Sequence, residues 1–165
     1  MEGIRQPVMS TAIYPHSPVK DSLEKGLSFQ DFVCIELAKR HIVLQNIGSK
    51  RFQFEVGENL QGFEIKLDNG CTKFGHLSIE VAEKSSRDRL WWTPSGIMRN
   101  DNSILYIQGN YEAFWVFAKN WLRRWKDEKS PEIDEFNGTI QRFFLDIEVA
   151  DVCAIWKWSK EPTDG

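Results

Sequence analysis

The stretch Gly57–Lys84, GENLQGFEIKLDNGCTKFGHLSIEVAEK, limits what this chain can fold into more than any other. It reads as two strands, Gln61–Asp68 and His76–Glu83, joined by a loop containing Gly and Asn. In the first, Phe63, Ile65 and Leu67 alternate with Glu64, Lys66 and Asp68. In the second, Leu77, Ile79 and Val81 alternate with Ser78, Glu80 and Ala82. Residues two apart on a strand share a face, at a rise of about 3.3 Å per residue. One face is therefore apolar. The other gathers Glu64, Lys66, Asp68 and, if the strands pair, Glu80. Carboxylates around a single lysine are what a magnesium-dependent hydrolase needs, and they are also what a solvated strand face displays.

The chain has 165 residues, 41% of them hydrophobic, enough for one core of ordinary size, so a single domain is expected over residues 23–165. Residues 1–22 carry Pro7, Pro15 and Pro18 with few regularly spaced apolar positions, and read as an irregular arm. No apolar run reaches membrane-spanning length, and Met1–Ser10 lacks the basic-then-apolar order of a signal peptide. Cys34, Cys71 and Cys153 are an odd number at wide spacings with no CxxC pair. This argues against a disulfide framework or a structural zinc site and for a reducing, cytoplasmic setting. Cys34 and Cys153 are expected as buried free thiols. A net charge of −3 argues against non-specific coating of nucleic acid, though not against a nuclease whose own metal-binding acids contribute negative charge. Basic candidates for a nucleic-acid contact are Lys84, Arg87, Arg89 and Arg99, then Lys119, Arg123, Arg124 and Lys126. Each of them also suits a solvated face.

Ser28–His41 is expected as a helix, with Ser28 as N-cap and Asp31 three residues on. Phe29, Phe32, Val33 and Leu37 form its core-facing stripe, in which Glu36 takes the i+7 position. An acid there needs a cation or hydrogen bonds. It is either salt-bridged, to Arg40 or a strand lysine, or aimed at a metal site on the neighbouring sheet. Arg51–Val56 alternates as a half-buried strand. Ser85–Asn102 reads as a long loop holding Trp91 and Trp92, more readily packed beneath the loop than stacked on bases. Ser103–Gln108 and Tyr111–Ala118 flank Gly109-Asn110 as a hairpin, and Asn120–Lys126 follows as a short helix. Asp127–Glu135 reads as a connection, Thr139–Val149 as a strand, and Ala150–Trp158 as an apolar segment of open type. The order predicts an α/β or α+β domain around a mixed central sheet flanked by helices.

Hydrolysing a phosphodiester at neutral pH takes a strong nucleophile and relief of charge on phosphorus. Carboxylate-held magnesium supplies both, and a lysine beside it can polarise the attacking water. Glu64-Ile65-Lys66 places an acid and a lysine on one strand face. Together with Glu64–Asp68 (EIKLD), Phe74–Glu80 (FGHLSIE), Pro94-Ser95-Gly96-Ile97 and the aromatic run Ile104–Phe117, it resembles the PD-(D/E)xK, restriction-endonuclease-like nucleases. Within them it is most similar to the small phage- and bacterium-encoded branch, over roughly residues 28–126. The resemblance implies a restriction-endonuclease-like core and a DNA endonuclease using Mg²⁺ or Mn²⁺. It makes Glu64 a metal ligand and Lys66 the catalytic lysine. Glu58 would stand for the leading acid, with Glu55 as its competitor, and Glu36 for the acid of the first helix. A second alignment takes Glu64 or Asp68 as the first acid and Glu80-Val81-Ala82 as a degenerate later motif. DNA is the implied partner, with no membrane, and a homodimer is left open. No Pro-Asp is present, and His76 stands where the family's turn carries asparagine.

Two other classes compete. One is a non-catalytic module on the same fold that binds nucleic acid or protein. The other is an aromatic ligand-binding domain that would use Trp91, Trp92, Trp115, Trp121 and Trp125 as platforms and so needs those rings exposed. His16, His41 and His76 lack zinc spacing, and there is no GxSxG, P-loop or GxGxxG.

Overall fold

The apolar stripe Phe29, Phe32, Val33, Leu37 lies on a helix, α1 (Pro18–Ala38), that begins ten residues before Ser28. A computed structural model describes residues 18–161 of the chain. The expected arm therefore lies outside the described residues up to position 17, and residues 18–22 belong to α1. Proline is tolerated in a first helical turn, whose N–H groups have no intrahelical acceptor. Ser28, expected as a cap, sits inside the helix and donates its hydroxyl to the Glu24 carbonyl at 3.0 Å. A serine bonded back four residues is compatible with helix interior, so the capping pattern was coincidental.

Arg51–Val56 is not a strand. It forms α2 (Lys50–Glu55), with Phe52 exposed and Arg51 paired to Glu55 at 3.2 Å across one turn. Six residues of alternation are too few to separate the two periods, and the i,i+4 ion pair favours the helix.

The following elements are β1 (Phe63–Leu67), α3 (Cys71–Phe74), β2 (His76–Glu83), β3 (Thr93–Pro94), a 3-10 turn at Gly96–Met98, β4 (Leu105–Gly109) and β5 (Ala113–Ala118). Then come α4 (Lys119–Lys129), β6 (Asp134–Phe136), β7 (Ile140–Asp146), α5 (Ile147–Cys153) and β8 (Trp156–Ser159). The fold is α+β, as expected. The mixed sheet is present in the order β1-β4-β5-β8, with β1 parallel to β4 and the other pairs antiparallel. Beside it stands a second, wholly antiparallel sheet in the order β3-β2-β7-β6. So β1 and β2 do not pair with each other. The segment between them is α3, ended by Gly75 in the left-handed conformation, and it carries the chain from one sheet to the other.

Two cores follow from the alternation. Ile65, Ile107, Phe114 and Val116 project from one face of the first sheet onto Phe29, Val33 and Leu37 of α1. Tyr106, Trp115 and Phe117 project from its opposite face onto Leu77, Ile79, Val81, Phe143 and Leu145 of the second sheet, with Leu122 of α4 and Ile97. Glu64 pairs in register with Tyr106, and Lys66 with Gln108. The charged face of β1 is thus turned towards the second sheet, not towards solvent.

The tryptophans mostly serve this packing. Trp115 is buried, Trp121 stacks on Phe117 at 6.2 Å and Trp125 on Phe143 at 5.5 Å. A platform of exposed rings at these positions is therefore absent, and the aromatic ligand-binding reading loses most of its support. The three cysteines are free, but their burial differs from expectation: Cys71 is fully buried, whereas Cys34 and Cys153 are half-buried. Burial pushes the Cys71 thiol up to about 12, with Asp68 adding to the effect. No helix among the described residues is long and apolar enough to cross a membrane.

The Pro94-Ser95-Gly96-Ile97 loop seats its glycine on β2. Gly96 has φ of +50°, and a Cβ there would lie 2.3 Å from the Glu80 carbonyl oxygen and 2.8 Å from the Glu80 Cβ. Gly96→Ala is expected to cost about 1–3 kcal/mol in denaturant unfolding, from overpacking and a left-handed alanine together. Unchanged stability would mean that the loop can lift off β2.

Candidate active site

Lys66 stands between two carboxylates. Its Nζ lies 3.1 Å from Glu64 Oε1 and 3.7 Å from Glu58 Oε1. Glu64 and Lys66 share a strand face because they are two apart. Glu58 arrives from the turn before β1, where Asn59 exchanges side-chain hydrogen bonds with the Phe63 backbone at 2.7 and 2.9 Å. Glu58 Oε2 accepts from the Ile65 amide at 3.0 Å and from Gln30 Nε2 of α1 at 3.3 Å. The contribution of α1 to this cluster is thus Gln30. Glu36 is buried on the stripe and pairs with Lys39 at 2.6 Å, one turn on, so its cation is neither Arg40 nor a strand lysine. Arg40 instead donates to the Glu36 backbone carbonyl and lies over the Trp156 ring at 4.7 Å.

Behind Lys66 lies a second cation, which the sequence offered only as a basic candidate for a nucleic-acid contact. Lys119 has a side chain 1% exposed, and its Nζ lies 3.1 Å from Glu64 Oε2 and 3.1 Å from Asp101 Oδ1. It also donates to the Arg99 carbonyl and to Ser103 Oγ. Glu64, itself 1% exposed, is therefore held between two ammonium groups, although neither of its oxygens has a partner in hydrogen-bond geometry. The contact is charge pairing without good direction. One signal for Lys119 existed in the sequence. Counting on by twos from Trp115 and Phe117, which face the second sheet, reaches Lys119.

The electrostatics follow from this crowding. Burial alone would lower the pKa of the Lys66 ammonium. The carboxylates of Glu64, Glu58 and Glu80 outweigh that, against Arg99, and hold it above its ordinary value. Lys66 is therefore a cation and not a base at neutral pH. Burial raises the Glu58 carboxyl above the usual range, opposed by Lys66 and the Ile65 amide. Burial, then Glu64, Glu80 and Glu58, pushes the Tyr106 hydroxyl well above its ordinary value. Burial would also raise Asp101, but hydrogen bonds from Ser103 and Lys119 prevail and lower it.

A cleft of about 960 Å³ opens between β1 and the second sheet, with Glu58, Lys66, Asp68, Ser78, Glu80 and Arg142 in its walls. Glu64 is not in the wall; it lies behind Lys66. Glu80 reaches the cleft from β2, across the gap between sheets and not through strand pairing. Asp68 has another task. Its Oδ2 accepts from the Ser78 amide at 2.8 Å and from Gln108 Nε2 at 3.0 Å, and its Oδ1 from the Gly70 amide at 3.2 Å. Oδ2 thus ties the end of β1 and β4 to β2, and Oδ1 holds the turn that follows β1.

The basic candidates divide. Arg99 lies 3.2 Å from Glu83, and its carbonyl receives Lys119 and Arg123. Arg87 Nε donates to the Asn137 carbonyl at 2.8 Å, which pins the 84–92 segment to the cleft rim at Asn137. Lys84 lies over the Trp92 ring at 4.5 Å and Arg89 over the Trp91 ring at 5.1 Å. Trp91 is 61% exposed, so it is not packed beneath the loop as expected.

The donors suit a hard divalent cation. Magnesium keeps several waters and commonly takes one or two carboxylates plus substrate oxygens. Glu58 and Glu64 are two buried carboxylates, one with a burial-raised pKa and one whose oxygens have ammonium neighbours but no hydrogen bond in good geometry. Among the described residues no three of His, Cys, Asp and Glu converge closely enough to hold a metal ion. An ion here would rest on these two carboxylates, with water completing its shell. Comparison with family models, with curated proteins and with solved structures gave no match.

Proposed function

We propose that this chain is a divalent-metal-dependent DNA endonuclease of the PD-(D/E)xK kind. The observation that carries the reading is Lys66 set between two carboxylates, with Lys66 and Glu58 in the wall of an inter-sheet cleft and Glu64 directly behind them. In this reading Glu58 and Glu64 hold Mg²⁺ or Mn²⁺, which supplies charge neutralisation and water activation when bound. Lys66, kept charged by its acidic neighbours, lies against the scissile phosphate and stabilises negative charge as it develops. Glu80 adds negative potential from the opposite wall. Arg87, Arg89 and Lys84, on the segment pinned to the rim, contact the DNA backbone; Arg99 is held by Glu83 and contributes to the positive potential near Lys66. Asp68 positions β2 against β1, and Glu36 stays with Lys39.

The test is incubation of the purified chain with duplex, single-stranded and branched DNA in Mg²⁺, in Mn²⁺ and in EDTA. Cleavage of at least one form, lost in EDTA, is expected. No cleavage of any form with either ion would overturn the enzyme reading.

One observation favours a non-catalytic module on the same fold. Glu64 is already neutralised by Lys66 and Lys119, and an ion must compete with both for its oxygens. Calorimetric titration separates the two readings, because a binding module has no reason to take up Mg²⁺ or Mn²⁺ at Glu58 and Glu64. The enzyme reading expects uptake that Glu58→Gln weakens.

A further inference from the structure

The second sheet is buried on its inner face and carries exposed aromatic rings on its outer one. Leu77, Ile79, Val81 and Leu145 point inward and are buried. On the outer face His76, Ser78 and Glu80 of β2 lie in register with Asp146, Phe144 and Arg142 of β7. The rings there form a line. Phe74 stacks on His76 at 6.1 Å, His76 meets Phe144 at 4.4 Å, and the Arg142 guanidinium lies 5.0 Å from Phe144 and 4.3 Å from Phe136. Phe74 is 63%, Phe136 42% and Phe144 39% exposed. Arg142 is fixed by Asp134 at 2.7 Å and by Ser78 Oγ at 3.2 Å, so its plane is ordered before anything binds. Lys73 places a further cation 5.2 Å from the Phe74 ring.

This line is continuous with the candidate active site. Phe136, Arg142, Ser78 and Glu80 belong both to the outer face and to the cleft wall that faces Lys66. We propose that the row Phe74, His76, Phe144, Arg142, Phe136 is a stacking track for unpaired nucleotides, which leads a single strand into the cleft. Every base has a π-face that stacks on aromatic rings and on guanidinium planes. A duplex keeps those faces internal and cannot use such a surface. The row is long enough for on the order of two or three bases, as on other sheet platforms. Lys73 at one end and the Arg87 segment at the other supply cations for the flanking phosphates. The proposal rests on the nuclease reading for what happens in the cleft, but the binding it describes does not.

Fluorescence anisotropy of the full chain in EDTA, with a labelled oligo-dT and with a duplex of equal length, tests it. Oligo-dT is expected to bind more tightly than duplex. Phe74→Ala and Phe144→Ala are each expected to weaken oligo-dT binding about tenfold with little effect on duplex, and Phe144→Trp to retain binding. Thermal unfolding of the same variants confirms that they fold. Oligo-dT affinity unchanged in folded Phe74→Ala/Phe144→Ala overturns the track. So does a wild-type dimer by light scattering that this double variant converts to monomer, because the face then serves a second copy. Cleavage assays keep the two ideas apart. DNA cleavage with oligo-dT affinity indifferent to the rings sinks the track alone. Ring-dependent binding without cleavage in any metal sinks the nuclease alone.

Discussion

Lys66→Met is expected to lower metal-dependent cleavage by about a hundred- to a thousandfold at saturating DNA, the scale for removing one preorganised charge that faces a developing anion. The loss should fall on kcat more than on DNA binding, because Lys66 is one cation among several near the cleft while, among the described residues, it alone pairs with both Glu58 and Glu64. Glu64 keeps Lys119 as a partner in this variant, so it is not left as a lone buried charge. Single-turnover cleavage in Mg²⁺ and Mn²⁺, with calorimetric metal titration of the same variant, measures the two contributions separately. Lys66→Met should still take up metal, and more tightly than wild type, because a competing ammonium is gone. Full activity in both Lys66→Met and Glu64→Gln would falsify the site assignment.

Lys119→Met is expected to cost about 3–5 kcal/mol, the range for breaking a buried ion pair from one side. For a chain of this size that is a fall in Tm of roughly 10 °C. Its ammonium serves Glu64, Asp101, Ser103 and a backbone carbonyl at once, and methionine fills the space while satisfying none of them. Asp101 is left with Ser103 alone, and Glu64 with Lys66 alone. Adding Glu64→Gln should recover part of the loss, because a neutral amide no longer needs the second cation. The double-mutant cycle by urea unfolding reports that coupling. A cost below about 1 kcal/mol for Lys119→Met would mean that water reaches the network and shares its charge.

How much of this could be read beforehand depended on what each pattern encodes. The bounds of β2, the β4–β5 hairpin and the stripe of α1 were legible, because a hydrophobic period reports local geometry and buried area directly. Partner choice was not. Phe63–Leu67 and His76–Glu83 each alternate cleanly, but nothing in an alternation says that one joins β4 in parallel and the other joins β7 in a different sheet. That difference decided the meaning of the charged face. With one sheet it could have been wet; with two, it is the wall between them. Glu64 and Lys66 were legible as candidates from spacing, whereas Glu58, with Glu55 as its competitor, was offered only by the resemblance. The roles of Asp68 and Glu36 were not, because a carboxylate that knits strands and one that pairs along a helix look the same in sequence as one awaiting a metal. Lys119 grouped with the basic candidates for a solvated or nucleic-acid-facing side, although its parity with Trp115 and Phe117 points inward.

Glu58 carries a consequence outside chemistry. β1 is an edge strand, paired to β4 on one side only, and its outward amides at Phe63 and Ile65 are taken by Asn59 Oδ1 and Glu58 Oε2. An edge left with free amides is a template for a foreign strand and for aggregation. The same side chain that faces Lys66 therefore also closes the sheet against self-association. Losing the carboxylate at position 58 would uncover the Ile65 amide at that edge as well as remove a neighbour of Lys66.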